Sequence, residues 1–144
     1  MDDYRGGLPM SDVPSVSAWA VALAAIVAFA WGGIYFAAIA PRVERQIGIE
    51  AGPAVTAPAA LIAALITRGV LAYGLAVILA YADVVHPGAG ALGGLAVFAT
   101  ILLPVQVGQA AFNNATSSWR RLAVSVPELA IGMAIMGAIG VFWR

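Results

Sequence analysis

The sequence predicts an all-α integral membrane protein with four transmembrane helices in an antiparallel up-and-down bundle. Three observations carry the prediction. Hydrophobic residues make up 62% of the chain against 10% charged, and the mean hydropathy is +0.95. The apolar residues fall into four runs, each near the roughly 20 residues that a helix needs to cross a bilayer. The connections between runs are short, which makes neighbouring helices antiparallel. A chain of 144 residues has room for little else.

Residues 1–15 read as a polar tail, with Asp2, Asp3 and Asp12 against Arg5 and with glycine and proline interspersed. The segment is not a signal-peptide n-region, and the apolar run after it is too long for an h-region, so that run is kept as the first span. Residues 16–144 then form one four-helix domain. The first span covers about 16–40 and is expected to stop at Pro41, which lacks the N–H that would continue the helix. The second covers about 57–82, with Pro58 at its start, where proline is tolerated. The third covers about 90–112 and contains Pro104, which frees the carbonyl of Thr100 and predicts a kink one turn earlier. The fourth covers about 122–143. No internal repeat is visible.

Arginine placement gives an orientation. The first and third loops hold Arg42, Arg45, Arg120 and Arg121, while the opposite side has Arg5 and Arg144 among Asp2, Asp3, Asp12 and Asp83. The positive-inside rule puts the arginine-bearing loops in the cytoplasm of a bacterial inner membrane and both termini outside. Trp19, Tyr81 and Trp143 would form the outer aromatic belt, Tyr35 and Trp119 the inner one. The net charge is zero and dense basic clusters are lacking, so the expected surroundings are the lipid bilayer and another membrane protein or a second copy, not nucleic acid.

Four stretches resemble a bacterial membrane-protein family catalogued as domain of unknown function 1761. They are Trp31-Gly32-Gly33-Ile34-Tyr35-Phe36, Ile47-Gly48-Ile49, Asn113-Asn114, and Met136-Gly137-Ala138-Ile139-Gly140-Val141-Phe142-Trp143. The resemblance runs from about Trp19 to Trp143. It implies a small four-span fold and its topology, and no activity. Where such proteins often carry Tyr or His early in the last helix, this chain has Pro127-Glu128-Leu129.

The polar residues inside the spans carry the functional reading. Arg68 lies near the middle of the second apolar run, where a central arginine costs roughly 2.5 to 3.5 kcal/mol on insertion scales, so it should face protein or water. Ala60, Ala64, Ala72 and Ala76 share its face, a small-residue pattern that allows close helix approach. Glu128 shares a face with Gly132, Met136 and Gly140. It is expected about 9 to 12 Å from the cytoplasmic face, and Arg68 about 15 to 20 Å, at 1.5 Å per residue. Gln106, Gln109 and Asn113 fall at i, i+3 and i+7. Arg68, Gln106, Gln109 and Glu128 are therefore expected in one polar layer.

A hydrogen-bonded Arg68–Glu128 pair that sets helix register is the first reading, because partnering is the commonest fate of a buried charge. An anion, quinone-like or proton-carrying site is the second, and contact with another subunit is the third. Gly32 with Ala28, and Gly90 with Gly94, have the spacing of close helix packing. Asp83 and His86 are too few for a metal site, and the chain has no cysteine. No catalytic set and no phosphate-cradling loop is present, so the sequence leans away from an enzyme and names no cofactor. An accessory or scaffolding membrane subunit, or a homo-oligomer, fits best. A transporter or channel component for a small ion or solute is the alternative, with the same layer as its site.

Overall fold

The computed structural model describes residues 15–48, 57–113 and 115–141. The polar tail up to Pro14, Asn114 of the resemblance, and Trp143 of the expected outer belt lie outside them. Among the described residues the chain forms four helices and no strand. They are α1 (Ala18–Gln46), α2 (Pro58–Tyr81), α3 (Pro87–Phe112) and α4 (Thr116–Gly140), each long and apolar enough to cross a membrane.

Proline shapes α1 and α3 differently from the expectation. Pro41 does not end the first helix. A π turn at Tyr35–Ile39 precedes it, the Ala40 N–H donates to the Tyr35 carbonyl five residues back, and the helix runs on to Gln46. The widened turn makes room for the proline ring and absorbs its missing donor. In α3 the distortion expected before Pro104 takes the same form, a π turn at Phe98–Leu102 with the Leu103 N–H donating to the Phe98 carbonyl. Each π turn begins on a buried aromatic residue, Tyr35 or Phe98.

The helices alternate in direction. Ser15, Val16 and Ser17, which lead into α1, line one small cavity with Ala76 and Leu79 near the end of α2 and Gly140 at the end of α4. Gly90 at the start of α3 meets Gly137 and Val141. The other three helices all pack on α4, whereas α2 and α3 touch little beyond Leu79 against Gly93. The core joins Ala24, Ala25 and Ala28 of α1 with Ala72, Leu75 and Leu79 of α2, Phe98 of α3, and Met133 and Met136 of α4.

Glycine sets the α3–α4 distance. A Cβ at Gly94 would run into the Met133 carbonyl oxygen, and one at Gly137 into that of Gly90. The two backbones are in contact, which only the lack of a side chain permits.

The expected packing face of α2 holds over half its length. Ala72 and Ala76 are buried, but Ala60 and Ala64 are exposed, because the first half of α2 leans on no other helix. At the far end of α2, Asp83 adopts φ 52°, its N–H donates to the Ala80 carbonyl, and the Val84 N–H donates to the Leu79 carbonyl. This is a Schellman-type stop, in which aspartate takes the left-handed position usual for glycine. His86 caps the next helix, its Nδ1 accepting from the Gly88 N–H at 3.1 Å.

Candidate functional site

Arg68 and Glu128 meet between α2 and α4. Arg68 Nη2 donates to Glu128 Oε1 in a salt bridge whose side chains are 13% and 2% exposed, respectively. The pairing is possible because α4 begins at Thr116, six residues before the expected start. Glu128 therefore lies about 18 Å from its helix start and Arg68 about 15 Å from the start of α2, at 1.5 Å per residue. The two charges stand at nearly the same depth.

Two glycines make the space. A Cβ on Gly32 of α1 would stand 2.9 Å from Glu128 Oε1, and one on Gly132 of α4 would stand 3.1 Å from Arg68 Nη1. Larger residues at either position would displace the pair. Arg68 Nη1 is buried and has no hydrogen-bond partner among the described residues. The guanidinium is thus only partly satisfied by protein, which is uncommon for a buried donor. Gly140 continues the same contact line, with Ala76 at 3.6 Å from the position of its absent Cβ.

Aromatic residues of α1 hold the neighbouring turns of α4. The Tyr35 hydroxyl donates to the Val124 carbonyl at 2.8 Å, and Trp31 Nε1 donates to the Glu128 carbonyl at 3.3 Å. Pro127 lies between these two acceptors, inside α4, and leaves the Ala123 carbonyl without its usual helical donor. Tyr35 is 3% exposed, so it is a bundle contact and not the belt residue expected from the sequence. Trp19, Tyr81 and Trp119 are exposed. Tyr35→Phe is expected to cost about 1 kcal/mol, the net worth of one hydrogen bond. Tyr73→Phe, at an exposed position of α2, should change nothing. Thermal denaturation of the two variants in detergent checks the difference.

The structure divides the expected polar layer in two. Gln106 and Gln109 line a cleft of about 360 Å³ together with Asn113, Glu44 and Arg121, at the end of the bundle that carries Arg42, Arg45, Arg120 and Arg121, which lie within α1 and α4 and not in the expected loops because both helices run past their expected limits. Arg68 and Glu128 do not line it. Depth supplies the reason: Gln106 and Gln109 lie about 9 and 5 Å from the end of α3 at 1.5 Å per residue, whereas Arg68 and Glu128 lie about 15 and 18 Å from the same end of the bundle. The extra residue of the π turn at Phe98–Leu102 rotates the amides by about 100°, toward the side of α3 that Gly90 and Gly94 present to α4, and there they line the cleft with Val124 and Ser125.

The ion pair ties α2 to α4 beside α1, and the cleft lies among α1, α3 and α4. Neither contains a paired-carboxylate or nucleophile–base arrangement. Among the described residues no three His, Asp or Glu side chains come together as a metal site.

The family described as "Protein of unknown function (DUF1761)" matches residues 19–141. The chain belongs to this family. No curated protein and no solved structure matches it. The DUF1761 match begins one residue into α1 and ends just past α4, so it takes in all but the first residue of the four-helix unit, with the Arg68–Glu128 pair and both glycines beside it.

Three features of the site lie beyond the sequence pattern. Trp31 and Tyr35 read as aromatic residues of a motif and a belt, although their i, i+4 spacing on the Gly32 side of α1 is also that of donors toward a neighbouring helix. Gly32 pairs by spacing with Ala28 as a packing element, and nothing in that spacing points to Glu128. Glu44 has no role legible in the sequence, because Arg121, which lines the same cleft, is distant from it along the chain.

Proposed function

We propose that this DUF1761 protein is a multi-pass protein of the bacterial cytoplasmic membrane that works by assembly, as an accessory subunit or a homo-oligomer. Its Arg68–Glu128 pair fixes the packing of the protomer, and the first half of α2 presents the surface for a second copy or another membrane protein. One observation carries the reading: every residue from Pro58 to Thr67 is exposed, while Ala72, Leu75, Ala76 and Leu79 further along the same helix are buried. A helix anchored at one end and uncovered around its whole circumference at the other offers a docking element. Ala59, Ala60, Ala63 and Ala64 leave its backbone open to close approach. The positive-inside rule places that half of α2 toward the cytoplasm.

Transport through the bundle draws less support. The cleft at one end and the small cavity at the other share no lining residue.

Cysteines introduced at Ala60 and Ala64 in this cysteine-free chain are expected to crosslink in native membranes, to a second copy or to a partner of defined mass. Cysteines at Ile26 and Ile101, exposed on α1 and α3, serve as controls. Equal crosslinking at all four positions would show random collision and remove the proposal.

A further inference from the structure

The cleft at the arginine-bearing end combines opposite charges that do not neutralise each other. Glu44 from the end of α1 and Arg121 from the start of α4 both line it, and no ion pair joins them among the described residues. Two neighbouring arginines are otherwise engaged: Arg45 Nε donates to the Pro41 carbonyl at 3.0 Å and Arg120 Nη1 to the Gly48 carbonyl at 3.3 Å. Between the two charges stand Gln106, Gln109 and Asn113, whose amides can both donate and accept. Half-exposed Phe36 adds an apolar wall.

We infer that this cleft binds the headgroup of a zwitterionic phospholipid, with the phosphate on Arg121, the ammonium on Glu44, and the amides bridging them. A simple anion fits poorly, because Glu44 faces the same space. A cation meets the same objection from Arg121. A molecule with both charges satisfies both walls, and about 360 Å³ is within the range of small-ligand sites. A lipid is favoured over a soluble zwitterion by position and by Phe36. The cleft lies where the helices end, at headgroup depth, and the aromatic ring gives an acyl chain a surface to follow. The assignment rests on the membrane placement proposed above and is independent of self-association through α2.

Native mass spectrometry of the full chain, exchanged from detergent into equimolar phosphatidylethanolamine and phosphatidylglycerol, tests it. The protein should retain phosphatidylethanolamine over phosphatidylglycerol by up to about fivefold, the discrimination that one partly exposed charge contact supplies. Glu44→Gln should abolish that preference by weakening phosphatidylethanolamine alone. Arg121→Gln should weaken both lipids, and Arg42→Gln, outside the cleft, neither. Equal retention of the two lipids, or a preference that survives Glu44→Gln in a protein of unchanged helicity and elution volume, would overturn the assignment while leaving membrane insertion intact. Displacement by soluble glycerophosphoethanolamine at concentrations matching the lipid would also overturn it, in favour of a soluble zwitterion.

Discussion

Glu128→Leu is expected to destabilise the folded bundle by about 3 to 5 kcal/mol, the cost of removing one partner of a buried ion pair. Against a total stability of roughly 5 to 15 kcal/mol, that is enough to deplete the folded form. The loss has two parts. The guanidinium of Arg68 would remain between Gly32 and Gly132 with no carboxylate, and arginine cannot shed its proton to escape the penalty. Removing the other partner should be milder, because the carboxyl left behind by Arg68→Leu has a neutral form available to it. The expected order is therefore wild type, then Arg68→Leu, then Glu128→Leu. Folded fraction after heating, read by size-exclusion elution in detergent, gives that order directly.

Gly137→Ala and Gly94→Ala form the second prediction. In most helices alanine stabilises relative to glycine by up to about 1 kcal/mol. Here the sign should reverse. The added Cβ at Gly94 would meet the Met133 carbonyl, and at Gly137 the Gly90 carbonyl, both of which are backbone and cannot swing aside. Overpacking of this kind costs typically about 1 to 3 kcal/mol, since α3 and α4 must separate along their shared face. Gly69, Gly74 and Gly108 provide the contrast, because a Cβ at any of them meets nothing within 4 Å. Alanine at those three should be neutral or stabilising. A thermal-stability series across the five variants decides the matter. Uniform gains would show that α3 and α4 are not in backbone contact.

Much of the fold was legible because hydrophobic length and charge are properties of local sequence. Four apolar runs gave four helices, and short loops gave alternating directions. The limits of the helices were less accessible, for a reason visible at Pro41. Proline forbids a regular continuation but not a π turn, and whether the chain breaks or widens depends on packing around Tyr35, which sequence spacing does not report. The same effect at Phe98–Leu102 shifted Gln106 and Gln109 onto a different face from the one that regular periodicity assigns. The Arg68–Glu128 pair could be proposed because a charge inside an apolar run demands a partner, and Glu128 was the nearest candidate in depth. Its setting could not. The hydrogen bonds from Trp31 and Tyr35, and the clearance at Gly32, arise from α1 lying across α4, a contact between residues 89 to 97 positions apart. Ala60 and Ala64 illustrate the converse: a small-residue face permits packing without requiring it, and here nothing among the described residues occupies it.

The register role of the ion pair is tested most directly by the double variant Arg68→Leu/Glu128→Leu. If the two charges act on each other, removing both eliminates the uncompensated charge that makes each single variant unstable, and two leucines can pack in their place. The double variant should then be clearly more stable than Glu128→Leu alone, with a coupling of about 2 kcal/mol or more in the double-mutant cycle. A double variant as unstable as the sum of its parts would show that Arg68 and Glu128 stabilise the bundle independently, and the pair would not be what holds α2 against α4.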